Sequence, residues 1–304
     1  MSKAKVKNQA QAETYHAENF KLNKAKVLRP PYLTYALLII YSLYILLPLY
    51  IIVITSFKRT SEAAGGIDGL FTWWPQMGFN FEAYKEIFDK GVIPRSLANT
   101  FAYYLPTSVL NIFFSAVSAY GFAKMEWTGR SAIFGFLIIT MTLPGSITQT
   151  SSRVWMTTLG MDGTPLPLIL PGIFGGIGQV FFLKQYIAGI PDDLIGAAKI
   201  DGMGQVKIFL TLIIPLTLPA LLVRIVLAFI GGYNDYMGPL IYMTGEEDMY
   251  TLQLALKNIA DQAVGRNEYK MAAATIGMFP LIVVYIFIQD YIIKSTSIGS
   301  GLKG

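Results

Sequence analysis

PPYLTYALLIIYSLYILLPLYIIVITSF, from Pro30 to Phe57, is a run of 28 residues without Asp, Glu, Lys or Arg. A hydrocarbon core of about 30 Å is crossed by about 20 helical residues, so this run reads as a membrane-spanning helix. It is longer than the apolar stretch of a cleaved signal peptide, has no small-residue cleavage site and follows a polar arm of about 30 residues. Similar charge-free runs recur at Ser96–Ala123, Ser131–Ser152, Gly163–Leu183 and Met271–Gln289, of 28, 22, 21 and 19 residues. A further apolar stretch, Phe209–Ile230, is interrupted only by Arg224. The expectation is an all-α integral membrane protein with six transmembrane helices.

The composition agrees. Of the 304 residues, 53% are hydrophobic and 14% charged, whereas a soluble domain is about 25% charged. This excludes a disordered chain, a nucleic-acid binder and an ordinary soluble enzyme. The net charge of +5 is concentrated in the amino-terminal arm, where it reads as membrane orientation. There is no Cys, and His16 is the single His, so neither a thiolate nucleophile nor a Cys or His metal cluster is expected.

Lys and Arg set the topology. With the amino terminus in the cytoplasm, the inner segments hold Lys3, Lys5, Lys7, Lys21, Lys24, Lys26, Arg29, Lys124, Arg130, Lys184, Lys199, Lys207, Lys294 and Lys303. The outer segments hold Lys58, Arg59, Lys85, Lys90, Arg95, Arg153, Lys257, Arg266 and Lys270, and most of the acids. Both termini are therefore expected inside. The organisation is a basic arm over 1–32, a membrane domain over 33–293 and a tail over 294–304. The outer loop Lys58–Arg95 carries Phe71, Trp73 and Trp74, then a short helix near Phe81–Phe88. Interfacial anchoring and a docking surface for an external partner both fit its aromatic cluster.

The cytoplasmic loop at 187–210 is the most informative. Pro191-Asp192-Asp193 is a helix start, because proline suits the first turn and acids suit the positive end of the helix dipole. Leu194, Ala197 and Ala198 follow at i, i+3 and i+4, a small apolar stripe. Asp201-Gly202 then breaks the helix. Val206, Phe209 and Leu210 begin a second apolar pattern leading to Pro215 and the fifth span. The loop reads as two short helices joined at Asp201-Gly202, with a stripe small enough for another protein to approach closely.

Ile190–Leu221 resembles the cytoplasmic signature loop of ATP-binding-cassette importer permeases, described as Glu-Ala-Ala, three residues, then Gly. Ala197, Ala198, Asp201, Gly202, Pro215 and Pro219 match in order and spacing. Gly196 stands at the Glu position, and Met203 where a small residue is usual. The rest, about Leu33 to Gly304, is similar to the smaller permease of the maltose-type (carbohydrate) subfamily. The matching segments are Ser56-Phe57-Lys58, Ala119-Tyr120-Gly121-Phe122-Ala123, Leu168-Ile169-Leu170-Pro171-Gly172, Tyr233-Asn234-Asp235 and Met271-Ala272-Ala273-Ala274. Tyr233 replaces a family Trp. The resemblance implies the type I importer permease architecture, a bacterial or archaeal plasma membrane location, and a sugar, an oligosaccharide, as cargo. It further implies a second permease, two ATPase subunits bound below the pair, and an external solute-binding protein, with the short helices of this loop (Leu194, Gly196, Ala197, Ala198, Asp201, Gly202, then Pro215) seating in a cleft on the ATPase. Independently, a phosphate-binding loop needs Gly-Lys followed by Ser or Thr. This chain has no Gly-Lys dipeptide, so no ATP hydrolysis and no cofactor of its own is expected; ATP and Mg belong to the partner ATPases.

Two charged residues fall at membrane depth. Arg224 costs about 3 kcal/mol unless it faces a partner or cavity. Asp235 lies eleven residues on, on the same face of an unbroken helix but roughly 16 Å away, so each requires another partner, for which the second permease is a candidate. Gly231-Gly232 is expected to break the helix between them, leaving Tyr233, Asn234 and Asp235 either to line the pathway or to brace the break. Competing readings are a permease for glycerol-phosphate or another polyol, and an ion-coupled secondary transporter. The latter class commonly shows internal repeats, and none is evident between the halves. A membrane-embedded enzyme would need clustered acids, His or a nucleophile, which the sequence lacks.

Overall fold

The computed structural model describes residues 32–65, 72–243 and 245–301. The basic arm through residue 31, Asp68 and Phe71, Thr244 and Lys303 lie outside the described residues. Among the described residues every regular element is helical. The chain divides into two units, 1–51 and 52–304.

The first unit is represented by helix α1 (Tyr32–Ser56) as far as Ile51. Its 25 residues are enough to cross a bilayer, with Pro48 inside the helix. The hydrogen bond that Pro48 cannot donate is a defect that membrane helices accommodate by local adjustment.

In the second unit, α2 (Thr60–Ala63) and α3 (Glu82–Asp89) lie in the first long loop. Helix α4 (Val92–Lys124) starts after Gly91, whose φ of 68° suits glycine, and runs unbroken for 33 residues. It is followed by α5 (Arg130–Thr140), α6 (Gly145–Thr158), α7 (Leu166–Ile173), α8 (Ile177–Ala188) and α9 (Asp192–Ile200). Next come α10 (Gln205–Ile208), a π-helical segment (Phe209–Ile213), α11 (Ile214–Tyr233) and α12 (Met237–Tyr242). A 3-10 turn, Glu247–Met249, leads to α13 (Leu252–Gln262), and α14 (Asn267–Gly301) is the last of the described elements.

Five helical stretches are long and apolar enough to span: Tyr32–Ser56, Val92–Lys124, Leu166–Ala188, Gln205–Tyr233 and Asn267–Asp290. The expected third span is not one helix. Run 131–152 splits into α5, of 11 residues, and α6, beginning at Gly145. Eleven helical residues reach only about 16 Å, and the proline at 144 restricts Leu143 away from helical geometry. Lack of charge was not apolarity here: α6 begins Gly-Ser-Ile-Thr-Gln-Thr-Ser-Ser.

The expected fourth span, Gly163–Leu183, is also interrupted. Between α7 and α8, Gly175 has φ +83° and lies so close to Ser115 Oγ that a Cβ would collide with it. Asn111 Nδ2 donates to Gly172 O at 2.5 Å, giving a protein partner to a carbonyl beside the break, as irregular backbone at membrane depth requires. Helix α4 is the central element, packed against α7, α8, α11 and α13. At one end of the bundle, hereafter the lower end, Ile112, Ala116, Ala119 and Tyr120 of α4 bury with Leu183, Ile187, Ile195, Ile208 and Ile213. At the upper end Tyr104 buries with Phe229, Tyr233, Leu252, Leu256, Ala272 and Ala273. Small residues such as Ala116, Ala119 and Ala272 allow the close helix contacts that replace hydrophobic driving force in lipid.

Candidate functional site

The lower end carries the loop singled out from sequence. Pro191 has extended geometry (φ −57°, ψ 134°) and precedes α9, with Asp192 and Asp193 in the first turn. Ile195 and Ala198 are buried, at 5% and 8% exposure, in the lower core. Leu194, at 45%, and Ala197 point outward with Ile200 and Val206, which are 88% and 73% exposed. The expected stripe of Leu194, Ala197 and Ala198 is therefore split. Ala198 serves the chain's own packing, while Leu194 and Ala197 belong to an exposed apolar surface. Gly196 is half-buried, with open space where a Cβ would stand.

Helix α9 ends in a Schellman motif. Gly202 N donates to Lys199 O and Met203 N to Ala198 O, both at 3.0 Å, with Gly202 at φ +78°. This arrangement satisfies two terminal carbonyls and favours glycine at the left-handed position. Met203 packs against the same core as Ala198, the apolar contact that accompanies the motif. Asp201 is the cap residue, its N–H bonding Ala197 O at 3.0 Å. Pro215 sits in the first turn of α11, directly after the π-helical segment. It has no N–H to donate to the preceding turn; one turn on, Thr217 Oγ1 donates to Ile213 O at 2.7 Å.

Sequence reading missed what fastens this loop. The Lys124 ammonium donates to Ile190 O at 2.6 Å, to Asp192 Oδ1 at 2.7 Å and to Ala188 O at 3.4 Å. Its side chain is only 5% exposed. A cation here meets the carbonyl end of α8 and the acidic first turn of α9 together. The hydrogen bond from Lys124 holds the Asp192 carboxyl below its ordinary range. One turn earlier on α4, Tyr120 Oη donates to Gln205 Oε1 at 2.6 Å, so α4 grips both sides of the loop. Only the position of Lys124, first charge after a charge-free run, hinted at a role beyond orientation.

At membrane depth Arg224 and Asp235 both have hydrogen-bond partners within the chain. Arg224 Nε donates to Gln179 Oε1 of α8 at 2.6 Å, and its Nη2 bonds the same oxygen. The guanidinium also lies 4.8 Å from the Phe182 ring centroid, a favourable cation–π placement. Asp235 accepts from Tyr104 Oη at 3.2 Å and from Gly238 N at 3.0 Å. Tyr233 is buried and donates to Gly277 O at 2.9 Å, tying α11 to α14. Gly231-Gly232 does not break the helix, which continues through Tyr233. Gly232 instead admits the Tyr104 ring, which a Cβ would strike. Asn234 is exposed and donates to Ile230 O at 2.9 Å. With Gln253, Lys257, Lys270 and Gly277 it borders a cavity of about 330 Å³.

Two segments of the upper end are tied by an ionic cluster. Arg266 donates to Glu86 at 2.7 and 3.2 Å and to Glu268 at 3.1 Å, while Thr60 donates to Glu268 at 2.9 Å. Hydrogen bonding from Arg266 holds the Glu86 carboxyl below its ordinary range, and Glu86 in turn raises Arg266. Lys58 is buried and donates to Thr72 O and Oγ1 at 2.8 and 2.6 Å; burial lowers its pKa. Trp73 and Trp74 are exposed. Among the described residues no three His, Asp or Glu side chains converge to hold a metal ion.

An all-helical membrane bundle with an apolar two-helix loop at one end has the organisation of a transporter's membrane subunit. The chain belongs to the family of binding-protein-dependent transport system inner membrane components, whose model matches residues 111–298. Members are membrane-embedded, non-catalytic subunits of ABC transporters. The arabinooligosaccharides transport system permease protein AraQ of Bacillus subtilis is 29% identical over 264 residues, 86% of this chain and 92% of that protein. The polygalacturonan/rhamnogalacturonan transport system permease protein YtcP of the same species is 27% identical over 288 residues, 90% and 97% of the two chains. The diacetylchitobiose uptake system permease protein NgcG of Streptomyces coelicolor is 26% identical over 271 residues, 88% of each. In fold, the chain matches one from the crystal structure of a bacterial ABC transporter that imports the acidic polysaccharide alginate. The TM-score is 0.73 at 23% identity, covering 85% of this chain and 95% of that one. The architecture is thus that of a type I importer permease.

Proposed function

We propose that the chain is one half of the translocation pathway of an ATP-driven, binding-protein-dependent sugar importer, with oligosaccharides as cargo. It pairs with a second permease, seats ATPase subunits at its lower end and receives a solute-binding protein at its upper end. The lower end faces the cytoplasm, both termini lie inside, and α5 with α6 completes the sixth crossing. The observation that carries this reading is the split character of α9. One side is anchored in the core by Ile195 and Ala198, and the other presents Leu194, Ala197 and Ile200 outward. A short helix anchored in this way has a free apolar side for a partner of matching shape. The oligosaccharide cargo is supported by the relatives named above, and the docking of a binding protein by the tied upper loops around Arg266 and Glu86.

Reconstitution of the complete complex in proteoliposomes tests the proposal. Labelled oligosaccharide is expected to accumulate only with loaded binding protein outside and ATP inside. Accumulation that continues without ATP and collapses with the proton or sodium gradient would refute it.

A further inference from the structure

We propose that Lys124 is a positioning residue that locks the 187–210 loop to α4, making α4 the rod that carries ATPase movement to the upper end. The inference rests on the reading of that loop as the ATPase seat. Three observations carry it. First, the Lys124 ammonium is nearly enclosed and meets acceptors at the end of α8, in the turn after it and in the first turn of α9. Second, α4 is continuous over 33 residues, or about 50 Å, whereas α8 is separated from α7 at Phe174–Gly176 and α11 is preceded by a π-helical segment. Of the elements gripping the loop, α4 alone stays helical all the way to the upper end, although Pro106 within it withholds one backbone donor. Third, its far end is also tied to a neighbouring segment. Arg95 pairs with Asp248, Asn99 donates to Asp248 O and Tyr250 O at 2.8 and 3.1 Å, and Leu252 N donates to Thr100 Oγ1 at 2.8 Å. Tyr104 donates to Asp235 one turn further along. A displacement of α9 therefore reaches Asp235 and the 245–252 segment through packed helix and fixed hydrogen bonds, in both directions, since coupling between sites is reciprocal.

The test uses the complete importer in proteoliposomes, with Lys124→Met, Lys124→Arg and Asp192→Asn. Lys124→Met is expected to retain the ATPase subunits, because Leu194 and Ala197 are unchanged. Sugar uptake per ATP hydrolysed should fall at least about tenfold, the factor that about 1.4 kcal/mol of coupling represents. Lys124→Arg keeps a cation with several donors and should restore most of it, which a merely space-filling role would not distinguish. Asp192→Asn removes one charge at a site whose side chain is 85% exposed, so it folds if Lys124→Met does not, and should show a smaller loss of the same kind. Unchanged uptake per ATP in Lys124→Met, or in Asp192→Asn should Lys124→Met fail to assemble, overturns the proposal.

A second measurement is independent of docking. The chain has no Cys, so spin labels at Glu126→Cys and Lys199→Cys report one distance between the end of α4 and α9. That distance should be narrow and equal in the nucleotide-free and ATP-trapped states, and should broaden in Lys124→Met or, failing its assembly, Asp192→Asn. A distance that changes with nucleotide in the otherwise unmodified chain, or an unaltered distribution in the variant, contradicts the lock. Leu194→Glu with full ATPase retention would instead sink the seat itself, leaving the spin-label result untouched.

Discussion

Gly202 offers a quantitative test of the loop's design. Its φ of +78° is left-handed, yet a Cβ built there meets nothing within 4 Å. The cost of a substitution is therefore backbone strain and not collision. Placing an L-residue in left-handed geometry costs roughly 1–2 kcal/mol, with Asn partly exempt through local hydrogen bonding. The expected order of damage is Gly202→Asn, then Gly202→Ala at about 1 kcal/mol, then Gly202→Val at about 2 kcal/mol or more, since β-branching worsens the conflict. If α9 leaves its Schellman geometry, both the Lys199 and Ala198 carbonyls lose partners. About 1.4 kcal/mol shifts the loop's equilibrium tenfold, so Gly202→Val should lose most uptake while the permease pair still inserts. The assay is sugar uptake measured beside ATPase co-purification across the three variants. Wild-type behaviour of Gly202→Val, or equal damage from Asn and Val, would refute the strain argument.

Gln179→Leu leaves the Arg224 guanidinium without its acceptor and should destabilise the solubilised protein by about 1.5–3 kcal/mol. The double change with Arg224→Met should recover most of that loss, and additive losses in a thermal unfolding cycle would count against the pair. Gly232→Ala forces a Cβ against the Tyr104 ring and should cost about 1–3 kcal/mol, with partial recovery in Tyr104→Leu; absence of any loss would contradict the close approach. The folded-state Glu86 carboxyl is held below its unfolded value, so its pairing stabilises above that unfolded value and is lost as pH falls through the folded one. Protection of amides near α3, relative to their intrinsic exchange rates, should accordingly fall on acidification below about pH 4.5, and Glu86→Gln should abolish that dependence. The rigorously purified single chain should show no ATP hydrolysis, because it lacks a phosphate-cradling Gly-Lys sequence; turnover by that preparation would disprove the division of labour.

The legible part of this molecule was whatever depends on the chain's local chemistry. Charge-free runs located the long helices, and Pro191-Asp192-Asp193 with Asp201-Gly202 gave the bounds of α9 to within a residue. What depended on neighbours was not legible. Gly175-Gly176 breaks a span because Ser115 and Asn111 receive the irregular backbone, whereas Gly231-Gly232 stays helical because Tyr104 packs onto it. Both pairs look alike as sequence. Apolar residues ring α9 on two faces, so periodicity could not say that Ala198 turns inward and Ala197 outward. Arg224 and Asp235 were identified as needing partners, but Gln179 and Tyr104 lie 45 and 131 residues away along the chain. Lys124 was counted only as an orientation charge because its three acceptors come from a loop more than sixty residues on.

The central claim is that the outward side of α9 seats an ATPase subunit. A photo- or thiol-reactive cross-linker at Ala197→Cys, the only cysteine of the altered chain, tests it most directly within the assembled importer in sealed membranes. A product joining this chain to an ATPase subunit is expected, in high yield and blocked by Leu194→Glu. A product with the external binding protein, or labelling from the outer side of intact cells, would contradict it.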